Sequence, residues 1–415
     1  MKTIHKYEHE ILRKNEGGFT ETHWKALIAL NERFGNRYFD ILHDGIKFRQ
    51  YTGVIQIEDL LIEIYPKADK HSGNAAWRNV LIPMLKTSGY LQTETTGEAF
   101  VRKQPLSLIH VYFELFLKRM EVLIRRGLIK QYRKESGNTK ALKGKLEFAR
   151  HIQHNLVHRE RFYTRHQVYD TDHTLHLILR TAAEIVQYFS RGTGLVDFAN
   201  RILLSFPEVT PAPVTRALLD KTVIHRKARY YAGALDLARL IILNYSPDIK
   251  GGHRKMLSLL FDMNRLWESY VLKSLQNTLR HDVRYRHWRI TGQESRSFTR
   301  AHRLRPDIVL QNVQTGETIV VDTKWKQPEN SSASIADLRQ MYVYGRYWQA
   351  RKTVLLYPSS YPDTGEFQAF IPAPGESGAS VFYKTAFIPV ITAEGKLNTE
   401  LGEKIFDLLD KPVEI

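Results

Sequence analysis

The sequence has no cysteine, so disulfides and thiolate zinc sites are excluded. No apolar run approaches the roughly 20 residues that a membrane-spanning helix needs. The opening Met1-Lys2-Thr3-Ile4-His5-Lys6-Tyr7 lacks the apolar core of a signal peptide. Those absences predict a soluble, cytoplasmic chain without a membrane partner. A phosphate-cradling Gly-x₄-Gly-Lys-Ser/Thr element is also missing, since Lys143-Gly144-Lys145-Leu146 lacks both the first glycine and the hydroxyl. The chain is therefore expected to bind and hydrolyse no nucleotide by itself. Neither an internal repeat nor a low-complexity segment stands out.

What the sequence has in excess is positive charge, +17 formally. Residues 118–166 hold 14 Lys/Arg against 4 Asp/Glu, and residues 280–305 hold 8 Arg against 2 acids. Such patches attract polyanions, because each phosphate neutralised releases counterions. A merely solvated basic surface is the plainer alternative. Both clusters are interleaved with polar residues, unlike the basic helix with an apolar face that lies on a membrane. The run Arg284-Tyr285-Arg286-His287-Trp288-Arg289, read as strand, favours double-stranded DNA as the partner.

A chain of 415 residues, 43% hydrophobic and 25% charged, should fold as about two or three domains. Residues 1–105 read as α+β. A helix opens at Thr20-Glu21-Thr22-His23-Trp24 and runs towards Arg33, and Lys47–Gln56 with Glu58–Tyr65 form a hairpin ended by Pro66. A helix from Asn74 to Lys86 follows in spite of Pro83. No catalytic constellation occurs there, which predicts an interaction domain. Residues 106–250 read as a mainly helical, basic region, with helices at Leu108–Gly127, Thr174–Arg191, Leu195–Leu204, Val214–Leu219 and Tyr230–Leu243. Arg133 to Lys145 reads as a basic, glycine-containing loop. His151, His154, His158 and His166 raise a metal site, but no carboxylate pattern accompanies them, and solvated or phosphate-contacting histidines are the simpler reading. Asp172 and His176, four apart, have the spacing to share a helix face.

Residues 251–415 hold the chemistry. Asp307-Ile308-Val309-Leu310 and Thr318-Ile319-Val320-Val321 are short β-branched-rich runs joined by the polar Asn312–Glu317, which suits a hairpin turn. Side chains alternate along a strand, so Asp322 and Lys324 project on one side, roughly 7 Å apart. Thr323 then faces the other way and offers at most its backbone carbonyl. Asp307, at the end of the partner strand, can swing in beside them. Two carboxylates and an ammonium at one strand edge suit metal-assisted phosphodiester hydrolysis: the carboxylates hold Mg²⁺, or Mn²⁺ in its place, and the lysine orients the attacking water.

Met256 to Leu279 reads as one amphipathic helix, with Glu268 beside its apolar stripe either as a third metal ligand or as a partly exposed glutamate. Asp337 opens a further helix, on which Gln340 and Tyr344 share a face. Thr353–Tyr357 is a core strand, and Phe367–Pro372 and Val381–Val390 are additional strands about an exposed loop, Pro372–Gly378. Gln327–Ser334 should be a loop near the site.

These motifs resemble the PD-(D/E)xK nuclease superfamily, with Gln340-Met341-Tyr342-Val343-Tyr344 similar to the Gln-x-x-x-Tyr element of RecB-type nucleases. More narrowly, the chain resembles the McrC family, the nuclease subunit of McrBC-type modification-dependent restriction systems. The resemblance lies in Met263–Glu268, Arg305-Pro306-Asp307, Asp322–Lys326 and Asp337–Met341. Near the N-terminus it lies in Gly53–Gln56 and in Leu61–Tyr65 with Pro66-Lys67-Ala68-Asp69. It implies a restriction-endonuclease-like α/β C-terminal domain and a Mg²⁺-dependent DNA endonuclease. Asp307, Asp322 and Glu268 would be the metal ligands and Lys324 the catalytic lysine. Gln340, Tyr344, Arg305 and Arg303 would support the site or contact DNA. It also implies a partner, a McrB-like AAA+ GTPase ring on which the N-terminal domain docks and whose GTPase it stimulates. A stand-alone RecB-like repair nuclease and a non-catalytic, DNA-binding activator of a partner NTPase are the rival expectations.

Overall fold

The computed structural model describes residues 2–66, 74–90, 107–246, 255–326, 332–359, 365–371 and 380–411. Lys67-Ala68-Asp69, most of the Gln327–Ser334 loop and the Pro372–Gly378 loop lie outside the described residues. The structure is mixed α/β and falls into two compact units. One comprises Gln56–Asp59 and Pro105–Leu259; the other joins Lys2–Ile55 and Leu60–Gln104 to Leu260–Ile415.

The chain begins with strands β1 (Lys2–Tyr7) and β2 (Ile11–Arg13), helix α1 (Glu21–Arg33), strands β3 (Phe39–Leu42), β4 (Gly45–Phe48), β5 (Tyr51–Ile57) and β6 (Leu60–Tyr65), and helix α2 (Asn74–Thr87). Thr20 and His23 close a capping box at the start of α1, satisfying amide groups that the first helical turn leaves unpaired. β1 runs parallel to β6, Lys2 opposite Leu60 and Tyr7 opposite Tyr65. The expected strand Lys47–Gln56 is two strands: β4 pairs antiparallel with β2 and β3 in its own small sheet, and the chain resumes as β5 in another.

In the unit built on residues 105–259 the elements are α3 (Leu108–Arg126), β7 (Gln131–Thr139), β8 (Lys145–Leu146), α4 (Phe148–Asn155), β9 (Phe162–Asp170), α5 (Thr174–Phe189), α6 (Val196–Ser205), α7 (Arg216–Lys221), α8 (Ala232–Leu243), β10 (Tyr245–Ser246) and most of β11 (Met256–Asp262). Two expectations fail here. Arg133–Lys145 is not a loop: β7 pairs antiparallel with β9 from Gln131 opposite Asp170 to Thr139 opposite Phe162. Its residues alternate only between half-buried and exposed, so backbone pairing rather than an apolar stripe fixes the strand, and composition carried no trace of it. Met256–Leu279 is not one helix either. Met256 to Asp262 is β11, and the helix starts at Met263, where the Asp262 carboxylate accepts from the amides of Asn264 (3.0 Å) and Arg265 (3.4 Å). A short apolar run ending at an N-cap residue fits strand and helix equally by periodicity.

Two of the four histidines, His151 and His154, pack against Tyr163, and His158 is exposed beside Glu160. His151 bonds the Tyr163 amide (3.3 Å), His154 stacks on Tyr163, and among the described residues no three metal-ligating side chains group together. Asp172 does not meet His176; it precedes α5 and accepts from the amide and hydroxyl of Thr210 (3.0 and 2.6 Å). His176 is fully buried. Its Nδ1–H donates to Thr171 O (2.7 Å), which makes Nε2 the acceptor for the Tyr231 hydroxyl (3.0 Å).

The chain then forms α9 (Met263–His281), β12 (Trp288–Gly292), β13 (Arg296–Ser297), β14 (Arg303–Leu304), β15 (Ile308–Asn312), β16 (Thr318–Thr323), α10 (Ile335–Trp348), β17 (Lys352–Ser359), β18 (Gln368–Ala369), β19 (Phe382–Pro389) and α11 (Leu401–Leu409). The expected strand in Arg284–Arg289 begins only at Trp288, because Asp282 caps a 3₁₀ turn over Val283–Tyr285. A six-stranded sheet runs β12-β15-β16-β17-β19-β18, antiparallel through β16 and parallel from β16 to β19. Val309, Val320, Met341, Tyr344, Trp348, Leu355 and Tyr357 fill the core between this sheet and α10. On α11, a methyl group at Gly402 would lie 2.5 Å from Ser274 O, so only glycine allows that helix to seat against α9.

Burial, with a smaller contribution from His173, lowers the His176 pKa from 6.5 to about 4. The folded state therefore keeps His176 neutral while the unfolded chain protonates. The associated stability is complete above pH 6.5 and is lost as pH falls towards 4, up to about 3 kcal/mol. Urea midpoints measured between pH 7.5 and 4.5 should fall less steeply for His176→Gln than for wild type; parallel curves would show that His176 is not held neutral.

Candidate active site

The β-hairpin sets the geometry. β15 and β16 pair Ile308 with Val321 and Val309 with Val320. Extending that register by one residue puts Asp307 across from Asp322, and residues directly opposite on antiparallel strands share a face. Asp307 Oδ2 accepts from both the amide and the hydroxyl of Thr323 (2.7 Å each). The sequence expectation for Thr323 is thus corrected: its hydroxyl reaches across the hairpin to fix Asp307. Asp322 is buried, and burial followed by the charge of Asp307 pushes its carboxyl up to about 6, while Lys324 pulls the other way.

Lys324 continues the parallel ladder, its amide donating to Leu356 O (3.0 Å). Its Nζ lies 2.6 Å from Asp322 Oδ2, 3.1 Å from Gln340 Oε1 and 3.7 Å from Asp337 Oδ1. Burial works against the ammonium, but Asp322 first, then Asp337 and Asp307, outweigh it and hold the Lys324 pKa above its ordinary value. Asp337, at the start of α10, in turn accepts from Lys326 (2.7 Å) and Ser334 (2.7 Å), which keep it ionised against the cost of its burial.

Gln340 and Tyr344 do share a face of α10. Gln340 Nε2 donates to the Tyr344 hydroxyl (2.8 Å), and that hydroxyl donates to Arg305 O (3.2 Å). A chain of bonds thus runs from Lys324 to the backbone two residues before Asp307. Glu268 stands on α9, where Gln293 Nε2 donates to its carboxylate. Burial and then Asp307 raise its pKa, with Gln293, Arg305 and Arg265 opposing, so Glu268 and Asp322 each feel Asp307. Arg305 donates to Gln293 Oε1, and the Gln293 amide donates to Asp307 O (2.8 Å). Arg303 donates to the hydroxyl and carbonyl of Ser295 (2.7 and 3.0 Å).

These contacts mark residues that the sequence did not single out. Gln293 has a left-handed backbone (φ 53°), rare outside glycine, and bridges Glu268 to Arg305. Trp325, next to Lys324, donates to the buried Glu8 (2.9 Å) and packs against Trp267 at 5.8 Å. Only an unusual φ requirement or contact information would have revealed Gln293, and nothing local ties residue 8 to residue 325.

The donor set is carboxylate oxygen, which suits a hard divalent cation. Asp307 and Asp322 each engage one oxygen, Oδ2, with Thr323 and Lys324 respectively, which leaves Oδ1 of each for a cation. Their mutual repulsion is the charge a cation would relieve. Among the described residues no three carboxylates or imidazoles group closely enough to hold a metal ion by themselves, so what the site offers a cation is the Asp307–Asp322 pair.

The Gln340–Tyr344 bond gives a direct test of this scaffold. Gln340→Ala and Tyr344→Phe should each lower stability by about 1 kcal/mol, with a coupling of about 0.5 kcal/mol or more in the double variant. Urea unfolding of the four proteins measures it, and strictly additive losses would show that the bond contributes nothing.

The family model described as "McrBC 5-methylcytosine restriction system component" matches residues 46–358. No curated protein matches the sequence. Among solved structures, the chain is similar to a chain of the Thermococcus gammatolerans half-complex of McrB AAA+ hexamers with bound McrC. The TM-score is 0.72 at 20% identity, over 98% of this chain and 99% of that one. It is also similar to a chain of the Thermococcus gammatolerans McrBC complex solved by cryo-electron microscopy, with a TM-score of 0.51 at 21% identity, over 67% of this chain and 88% of that one. At such identities the likeness is one of fold, while the family match covers most of the sequence: the chain belongs to the McrBC 5-methylcytosine restriction system component family.

Proposed function

We propose that the chain is the Mg²⁺-dependent DNA endonuclease subunit of a McrBC-type restriction system, with a PD-(D/E)xK active site and a McrB-like AAA+ GTPase ring as its partner. The observation that supports this best is the facing pair Asp307–Asp322 with the Lys324 ammonium 2.6 Å from Asp322. Asp307 and Asp322 would hold the cation, Glu268 standing behind Asp307 as a candidate third ligand. A bound Mg²⁺ would polarise the scissile phosphate and acidify a coordinated water.

The protein's own groups define the rest. Three carboxylates favour the ammonium form of Lys324 and raise its pKa. Its N–H groups would orient the water and offset charge developing on the phosphate. Gln340 restrains the ammonium, Tyr344 ties α10 to the Arg305 carbonyl, and Thr323 keeps Asp307 from turning out of the site. The partner is inferred from the solved complex in which McrB AAA+ hexamers bind McrC, and stimulation of its GTPase belongs to the same proposal. Among the described residues no helix is long and apolar enough to cross a membrane.

Plasmid cleavage tests the assignment. Wild-type protein with Mg²⁺, a McrB-type partner and GTP should cut methylated DNA, and EDTA should stop it. Asp307→Ala, Asp322→Ala and Lys324→Ala should each lose on the order of a thousandfold or more in rate while partner binding persists. Glu268→Ala should lose less if it only supports Asp307. A folded Asp322→Ala that cuts at the wild-type rate would sink the site, and cutting by the chain alone would point to a stand-alone nuclease.

A further inference from the structure

The segment from Gln293 to Arg305 leaves the active site and returns to it. Between those ends it forms the two-stranded β13–β14 ribbon, with Arg296 opposite Leu304 and Ser297 opposite Arg303. At its tip the Phe298 and Thr299 amides donate to His302 O (2.9 and 3.1 Å), and Thr299 Oγ1 accepts from the amides of Ala301 and His302 (3.2 and 3.0 Å). The turn is closed by its own bonds and holds Arg300 at the apex, exposed. Arg296 fixes the ribbon to the end of α10, donating to Tyr347 O (2.8 Å) and lying 4.7 Å over the Trp348 ring. Phe298 packs edge-on against Tyr347 at 5.4 Å.

Of the ribbon's cations, Arg296 pairs with Glu294 (2.9 Å) and the others form no ion pair among the described residues. Arg300 and Arg303 have no carboxylate partner among the described residues, whereas Arg13, Arg49 and Arg133 are all ion-paired. Arg303 is braced on Ser295, a neutral acceptor that leaves its charge unspent, while Arg305 is held by Gln293 and its charge acts on Glu268. Arg300 precedes Asp307 by seven residues, so its apex stands at most roughly 23 Å from the site. On a duplex with phosphates about 3.4 Å apart along the axis, that reaches at most about seven base pairs.

We propose that this ribbon is a duplex-DNA arm, in which Arg300 and Arg303 contact phosphates flanking the one placed at Asp307 and Asp322. The inference rests on the nuclease reading for what is cut, but the binding itself requires no chemistry. Because its two ends are Gln293, bonded to Glu268, and Arg305, whose carbonyl accepts from Tyr344, a phosphate gripped by the arm is held in register with the carboxylates.

The test measures binding of wild-type chain to an unmodified duplex of about 30 base pairs by fluorescence anisotropy in EDTA, from 50 to 300 mM salt. Arg300→Ala/Arg303→Ala should weaken binding about tenfold and reduce the slope of log K against log salt by about 2. Arg300→Lys/Arg303→Lys should restore most of that slope. Arg13→Ala/Arg49→Ala removes the same charge from ion pairs elsewhere and should change little. Equal losses in both alanine pairs, or no loss in either, would overturn the arm. Intact DNA binding with lost stimulation of the partner NTPase would assign the ribbon to the protein partner instead. Wild-type protein that binds with the full slope yet never cleaves would remove the nuclease reading and leave the arm standing.

Discussion

The site depends on one piece of strand register. Because Ile308 faces Val321, Asp307 faces Asp322, and two carboxylates that would repel in isolation are held together by backbone hydrogen bonds distributed along the hairpin. A slip of one residue would turn Asp322 to the opposite face and bury Thr323 in its place. The apolar residues Val309, Leu310, Val320 and Val321 prevent that slip, since all are buried and each would lose its packing. Core packing thereby sustains an electrostatic arrangement that the polar groups themselves oppose.

Around the pair, each charged group has a restraint of its own. Thr323 holds Asp307 with two donors, Lys324 answers Asp322, Gln340 limits Lys324, and Lys326 and Ser334 occupy the Asp337 oxygen that would otherwise draw Lys324 away. The ordering of distances matters: Lys324 lies 2.6 Å from Asp322 but 3.7 Å from Asp337, so its ammonium stays at the hairpin. Lys326 shares with Ser334 the task of keeping Asp337 engaged, a role that the spacing Asp322-Thr323-Lys324-Trp325-Lys326 alone does not disclose.

The hairpin, the helix with Gln340 and Tyr344, and the central parallel strand were legible because each is a short segment whose apolar period and turn chemistry agree. Strand β7 was illegible because neither of its faces is apolar, and β11 because an apolar run before an aspartate reads as helix or strand with equal ease. The same limit applies to the site. Asp307, Asp322 and Lys324 lie on one hairpin, where local spacing sets their geometry. Thr323 was misjudged because alternation gives the direction of a side chain relative to its own strand, not the reach of the neighbouring strand's end. Gln293 and Glu8 have roles created only by tertiary contact.

Glu8 shows how far that contact extends. Its carboxylate, nearly inaccessible to solvent, accepts from the indole of Trp325, one residue past the lysine, while its amide donates to Tyr65 O at the end of β6. A buried carboxylate is costly unless it is bonded, so this pairing commits the corner after β1 to the strand that bears Asp322. Trp325 in turn rests on Trp267, one residue before Glu268 on α9. The two sides of the site, the hairpin and α9, are therefore braced against each other by an indole pair that the N-terminal segment locks in place. The N-terminal strands and the last 150 or so residues fall in one compact unit, and the wall behind Lys324 draws on both.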